Sequence, residues 1–161
     1  MDLDSAAYCH DHELLNQLLS DGALPSANTL CGLVLYDSKS VNLQLQNLEV
    51  ARRFIEMGVD PNELPSDGHA PAIDLAAASP NPAVLKLLLE SGATPTPSST
   101  VHCAIGEDLD ENLQLLIDHG VDMQTPMDNV DPDDDFAPVP LDYAKAIKAR
   151  KCQKLLRLLL K

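Results

Sequence analysis

The chain has 161 residues, of which 45% are hydrophobic and only 3% aromatic, and it contains no tryptophan. A chain of this length buries roughly 70% of its unfolded surface, so an aliphatic core can hold one domain, residues 1–161, without disulfides or a structural metal. The formal net charge of −14 argues against nucleic acid and membrane surfaces as partners, because both require clustered Lys and Arg.

Five apolar segments with helical spacing recur along the chain, and the last of them covers residues 155–160. Each of the first four is followed by a glycine and a small apolar residue. A glycine directly after a helix predicts a left-handed residue there, where a Cβ atom costs energy. These glycines lie 36, 34 and 28 residues apart and are Gly22, Gly58, Gly92 and Gly120.

A second helix is predicted before several of these segments. Residues 67–77, 99–104 and 139–144 resemble the D-G-x-T-P-L-H-x-A-A pattern of the ankyrin-repeat family. Proline suits the first turn of a helix, and Ser99 is predicted to cap its helix by accepting a backbone N–H bond. Small residues are predicted to let the two helices of a pair approach closely at Ala76, Ala77, Ala104 and Ala144.

The resemblance to ankyrin-repeat proteins covers nearly the whole chain. It implies an all-α repeat solenoid, a stack of helix-turn-helix units with β-turn fingers, in which neighbouring repeats bury each other's apolar faces. The first repeat is degenerate, and the second carries extra residues, Tyr36 to Gln46, predicted as a longer loop. The five predicted repeats are 2–26, 27–64, 65–97, 98–125 and 126–161.

In this family the finger tips and concave inner helices bind partner proteins, so the resemblance implies partner-binding residues at the matching positions. Tyr36 and Asp37, on the inserted loop, are weaker candidates. No phosphate-binding loop, nucleophile elbow or dinucleotide motif occurs, so we expect no enzyme, no catalytic residue and no cofactor. The expected partner-binding residues are Ser66, Asp67, His69, Ser79, Pro97, Ser98, Gly106 and Glu107.

An acidic segment, residues 128–136, is the most unusual feature of the sequence. Its partner-binding candidates are Asp131, Asp133, Asp134, Asp135 and Phe136. One interpretation is a solvated loop; another is a docking element for a basic partner, with the phenylalanine as an apolar anchor.

Calcium is a third interpretation of the acidic segment. Asp131, Asp133, Asp135 and Asp142 have the spacing of EF-hand positions 1, 3, 5 and 12. However, Phe136 stands where the EF-hand needs glycine, and the last ligand is Asp rather than Glu. We therefore expect no metal site here, although the sequence leaves cation binding open.

The charge is divided unevenly along the chain. Residues 1–142 hold all 25 acids and four basic residues, a charge of −21, whereas residues 145–161 hold seven Lys or Arg and no acid. The basic end is predicted to be the polar cover of the last repeat. The alternatives are nucleic-acid binding, which the −21 of the rest of the chain opposes, and pairing with the acidic segment. The dense run Cys9–His12 lacks zinc-site spacing, so no metal is expected there either.

Four widely spaced cysteines and the absence of a signal peptide predict a cytoplasmic protein with free thiols. The sequence favours a protein-binding module that inhibits a basic partner, such as an immunity-type protein. The alternative is a passive adaptor or scaffold, or a secreted bacterial effector with ankyrin repeats. We expect a monomer rather than a homodimer.

Overall fold

A computed structural model of the chain describes residues 2–35, 41–126 and 138–160. The chain divides into two compact units, Met1–Ala93 and Thr94–Lys161. All regular structure in the described ranges is helical. None of those helices is both long and apolar enough to cross a bilayer.

The first unit contains three successive helix pairs. The first helix of each pair contacts the first helix of the next, so α1, α3 and α5 form one row, and α4 contacts α6 in a second row. The helices are α1 (Leu3–Tyr8), α2 (His12–Ser20), α3 (Ala27–Leu35), α4 (Val41–Glu56), α5 (Ala72–Ala77) and α6 (Pro82–Glu90).

The second unit opens with a π-helical turn, Pro97–Val101, and continues with two helix pairs. Helix α7 contacts both α8 and α9, while α10 contacts α8 and α9. The helices are α7 (His102–Gly106), α8 (Asp110–Asp118), α9 (Pro140–Ala146) and α10 (Arg150–Leu159).

The glycine prediction is confirmed, because all four glycines have positive φ angles between 83° and 98°. The end of α6 shows how such a turn closes. Gly92 N–H donates to Leu89 O at 3.1 Å, and Ala93 N–H donates to Leu88 O at 2.9 Å. This pair of bonds satisfies carbonyls that the helix end would otherwise leave unpaired.

A second left-handed turn, without glycine, lies between the helices of three pairs. His10, Asp108 and Lys148 have φ angles of 52°, 53° and 63°. In each case the next residue donates its N–H to the carbonyl of a fully buried alanine: Ala6, Ala104 and Ala144, at 3.0, 3.0 and 2.9 Å. The structure therefore repeats a turn that the sequence marks with no common residue type.

The core is aliphatic, as the composition predicts. The four alanines predicted at helix contacts are all fully buried. The fully buried aliphatic side chains include Leu15, Leu30, Leu85, Leu88, Ile105, Leu113, Leu116 and Leu156, and Phe54 is the largest fully buried side chain among the described residues.

Two local predictions are wrong. Helix α4 begins at Val41, so residues 41–46 are helical and the predicted loop ending at Gln46 is too long; residues 36–40 lie outside the described ranges. Thr96, not Ser99, caps the next turn, since the Thr96 Oγ1 atom accepts the Ser99 N–H at 3.3 Å. Pro97 lacks an N–H and occupies the first turn, which moves the cap to the preceding residue.

Candidate partner-binding surface

An exposed segment of the first unit, residues 66–69, is fastened to α3 by a two-way hydrogen bond. Ser66 N–H donates to Asn28 Oδ1 at 2.7 Å, and Asn28 Nδ2 donates to Ser66 Oγ at 3.0 Å. Asn28 lies in the first turn of α3. The segment is therefore held by side chains of the preceding repeat rather than by its own neighbours alone.

The same segment reaches α1 through a tyrosine. Tyr8 O–H donates to Asp67 Oδ2 at 2.7 Å, while Asp67 Oδ1 accepts the His69 N–H at 3.1 Å. The ring centroids of Tyr8 and His69 are 5.6 Å apart. The structure thus brings the predicted residues Ser66, Asp67 and His69 together.

Hydrogen bonding sets the charge of this cluster. The Tyr8 hydroxyl is the main cause of a lowered pKa of Asp67, helped by the His69 N–H. Burial, followed by the hydrogen bond to Asp67, raises the pKa of Tyr8. At neutral pH the cluster therefore presents an aspartate anion beside a neutral tyrosine donor, and the anion stays exposed to a partner.

A glycine allows Tyr8 to reach this position. A Cβ atom added at Gly32, in α3, would lie 3.0 Å from Tyr8 Cδ2. The neighbouring Cys31 is buried, with its Sγ atom 3.6 Å from Ala70 O, and burial raises its pKa to about 12. Cys31 is therefore a packing thiol that stays protonated, since the thiolate is the reactive form.

The second unit carries the other finger candidates. Pro97 and Ser98 are half-buried at the start of the π-helical turn, whereas Gly106 and Glu107 are exposed at the end of α7. At the start of α7, the His102 ring stacks on Tyr143, with centroids 4.4 Å apart, and burial lowers the pKa of His102.

Several predicted site residues belong neither to the segment 66–69 of the first unit nor to the finger candidates of the second unit. Ser79 is only 7% exposed, and its hydroxyl accepts the Asn81 N–H at 3.2 Å, so it stabilises the turn before α6. The candidates Asp131, Asp133, Asp134, Asp135 and Phe136 lie outside the described residues, as do Tyr36 and Asp37.

The run Cys9–His12 contains two histidines, His10 and His12, in partly buried surroundings. His10 Nδ1 lies 3.2 Å from Asn47 Oδ1, and burial lowers the pKa of His12. Within the described ranges, no three His, Cys, Asp or Glu side chains are grouped so that they could hold a metal ion.

Helix α10 begins with a cap from outside its own pair. Asp108 Oδ1 accepts the N–H groups of Lys151 and Cys152 at 2.9 and 3.0 Å. Residue 149, at the N-cap position of α10, is an alanine and supplies no side-chain acceptor. Asp108 therefore fixes the start of α10, and its carboxylate also favours the positive end of the helix dipole.

Sequence reasoning missed three residues of these sites: Tyr8, Asn28 and Asp108. Tyr8 is 59 residues from Asp67, Asn28 is 38 from Ser66, and Asp108 is 43 from Lys151. Each acts on a segment far away in sequence, so local spacing carries no signal for these contacts.

Comparisons with known proteins give the fold. No protein-family model matches the chain, and no curated protein matches it. Among solved structures 102 chains match, and one is the human ASB11 ankyrin repeat domain. It is 22% identical to this chain, with a TM-score of 0.73, over 98% of this chain and 69% of that one. The chain therefore has the ankyrin-repeat fold, an all-α repeat solenoid.

Proposed function

We propose that this ankyrin-repeat chain is a cytoplasmic, monomeric and non-enzymatic protein-binding module that inhibits a partner with a basic surface. The observation that carries the proposal is the cluster of Tyr8, Asp67 and His69, in which an exposed carboxylate is held in place by a tyrosine from another repeat. A carboxylate fixed in advance loses little side-chain entropy on binding.

The charge of the chain supports a basic partner. Residues 1–142 carry −21, so they attract a positive surface over a distance of about 10 Å at ordinary ionic strength. Such attraction raises the rate of encounter and repels partners of like charge. An active site or nucleic-acid groove lined with Lys and Arg fits this description.

The acidic segment Asp131–Asp135 is the second part of the proposed surface. In this proposal its carboxylates steer the partner, and Phe136 contributes an apolar contact. The exposed cluster around Asp67 supplies hydrogen-bond acceptors at fixed positions. The inhibitor needs no cofactor, because it acts by covering the basic surface of its partner.

An adaptor is the second candidate function. It is favoured by one observation: Arg150, Lys154 and Arg157 line one groove on α10, and their charge is opposite to that of the Asp67 carboxylate. An adaptor binds without changing the activity of its partner, whereas an inhibitor lowers it.

A pull-down from native lysate at low and moderate salt tests the proposal. The variant Asp133→Asn, Asp134→Asn, Asp135→Asn is compared with wild type and with a control, Glu13→Gln, Glu49→Gln, Glu56→Gln. The control removes the same charge from exposed helix positions.

We expect the Asp variant to lose the partner and the control to retain it, because clustered charge steers association. Both should melt at nearly the wild-type temperature, since exposed charges contribute little to folding. Equal retention by both variants at low salt would reduce the acidic segment to a solvated loop. In that event Asp67→Asn decides whether the Tyr8 cluster is the contact.

A further inference from the structure

The outer face of α10 combines positive charge with exposed apolar surface. Arg150, Lys154 and Arg157 follow the spacing i, i+4, i+7, which places them on one stripe of the helix. With Gln153 and Leu158 they line an open groove of about 320 Å³. Leu158 is 61% exposed, and Leu159 and Leu160 continue the apolar surface.

These three cations have no carboxylate partner among residues 2–35, 41–126 and 138–160. Arg157 Nη2 donates to Gln153 Oε1 at 3.4 Å, and none of the ion pairs in those ranges includes Arg150 or Lys154. By contrast, Lys145 in α9 pairs with Asp142 at 2.8 Å. Among the described residues, therefore, no carboxylate neutralises the charge of the α10 stripe.

The helix that carries the stripe is anchored by buried side chains and by a cap. Cys152 and Leu156, on the opposite side of α10, are fully buried, and Asp108 caps the start of the helix. Burial raises the pKa of Cys152 to about 12, as expected for a thiol that only packs. The anchored helix sets the spacing of the backbone positions that carry the cations and leucines, so binding has to order only their side chains.

We propose that the α10 stripe binds an acidic amphipathic segment of a partner protein, one that carries carboxylates at helical spacing beside a leucine-like side chain. The three cations, which have no carboxylate partner in the part of the chain that the structure describes, bind the carboxylates of the partner, and Leu158 contacts its apolar side chain. The proposal is independent of the inhibitor function above, since it concerns a different surface with the opposite charge.

An acidic protein segment fits this stripe better than a phosphate backbone. The stripe from Arg150 to Arg157 spans about 10 Å and holds only three cations. Long phosphate polyanions bind through more ion pairs than three cations can supply. A short acidic helix adds apolar contact with the leucines, which a polyanion of phosphates does not.

A peptide titration tests the proposal with the full-length chain. The probe is a synthetic amphipathic peptide with glutamates on one helical stripe and leucines beside them, and its counterpart has glutamine for each glutamate. The test variant is Arg150→Gln, Lys154→Gln, Arg157→Gln. The matched control, Arg52→Gln, Lys86→Gln, Lys145→Gln, changes the net charge equally on other exposed helix positions. Circular dichroism melting checks that all variants are folded.

We expect the glutamate peptide to bind wild type and control alike, and the test variant about ten-fold more weakly, since each exposed ion pair adds a fraction of a kcal/mol. Leu158→Ser should also weaken binding while keeping every charge. The glutamine peptide should bind wild type about as weakly as the glutamate peptide binds the test variant.

Three results would overturn the proposal. The first is equal binding of the glutamate and glutamine peptides. The second is tighter binding of duplex DNA or of phosphatidylserine vesicles than of the glutamate peptide, with loss in the test variant. The third concerns the acidic segment of this chain itself: if Asp133→Asn, Asp134→Asn, Asp135→Asn strengthens peptide binding about ten-fold, the segment is the occupant of the stripe.

Discussion

The first and last helix pairs of the chain begin their second helices in different ways. In the first pair, Asp11 caps α2 by accepting the Leu14 N–H at 3.0 Å, three residues away. In the last pair, α10 takes its cap from Asp108, more than 40 residues away. A local cap can be read from sequence, but a cap from another repeat appears only when the repeats are packed.

The two pairs also differ in what they leave on the surface. The first pair uses Tyr8 to hold the exposed segment 66–69 through Asp67. In the last pair, Arg150, Lys154 and Arg157 of α10 have no carboxylate partner within the described residues, and Leu158 is exposed. The first arrangement depends on a close approach at Gly32, and the second depends on the Asp108 cap. Four predictions test this comparison, from the largest expected effect to the smallest.

Gly32→Ala should lower the free energy of unfolding by about 1–2 kcal/mol. The added Cβ atom would press on the Tyr8 ring, and overpacking of this kind costs about 1–3 kcal/mol, partly offset by the better helix propensity of alanine. Urea unfolding measures the change.

Gly106→Ala is the matched control in the second unit, because its Cβ atom would meet only Tyr143 Oη at an ordinary 3.9 Å. The free energy of unfolding of Gly106→Ala should rise by up to about 1 kcal/mol. If both variants lost the same free energy of unfolding, the close contact between Tyr8 and Gly32 would not be the cause of the destabilisation.

Asp108→Gly and Lys148→Gly together isolate the cap of α10. Both residues have left-handed φ angles, so glycine relieves the same backbone strain at each, but only Asp108 accepts N–H bonds from α10. Lys148→Gly should raise the free energy of unfolding by about 0.5–1 kcal/mol. The free energy of unfolding of Asp108→Gly should be about 1 kcal/mol lower than that of Lys148→Gly, because the cap is lost. Identical thermal melting of the two variants would show that the distant cap contributes nothing.

Tyr8→Phe should remove the hydrogen bond to Asp67 and change how the stability of the protein depends on pH. Because the Tyr8 hydroxyl lowers the pKa of Asp67, this interaction stabilises the protein above pH about 4 and is lost as pH falls through the lowered folded pKa. The melting temperatures of wild type and Tyr8→Phe should therefore differ at neutral pH and converge in acid. Tyr143→Phe, which keeps the ring stacked on His102, should show no such convergence.

The smallest effect is expected at His102. Burial lowers its pKa, so the folded chain binds a proton less readily than the unfolded chain. Stability should then fall as pH drops below about 6.5, the unfolded-state value, toward the folded pKa. His102→Phe keeps an aromatic ring beside Tyr143 but cannot titrate. Its melting temperature should fall less than that of wild type between about pH 7.5 and about pH 5.5.

Much of the fold could be predicted because its signals are local. The glycine turn after α6 needs only Gly92 and the apolar run before it, and alanines such as Ala104 mark helix contacts by their size. The turn at His10 escaped prediction, since its φ of 52° arises from the bonds that close the helix and not from the residue type. The cap at Ser99 was wrong because the proline at position 97 moved the start of the turn.

The candidate site was predicted in part. Ser66, Asp67 and His69 come together because they are neighbours in sequence on one exposed segment. Their partners Tyr8 and Asn28 could not be predicted, because only the packing of successive repeats brings them close. Ser79, also a predicted partner-binding residue, is buried, and its part in binding stays a prediction.

The sequence by itself determined the helix pairs, the aliphatic core, the glycine turns and the division of charge between residues 1–142 and 145–161. These features depend on residue type and on spacings of a few residues. The tertiary structure decided which charged side chains have partners. Tyr8 holds the Asp67 carboxylate, and the Asp108 carboxylate caps α10. In the described ranges, Arg150, Lys154 and Arg157 have no carboxylate partner. Hydrogen bonds and ion pairs need atoms within a few ångströms, and for residues about 40 or more positions apart only the packed repeats set that distance.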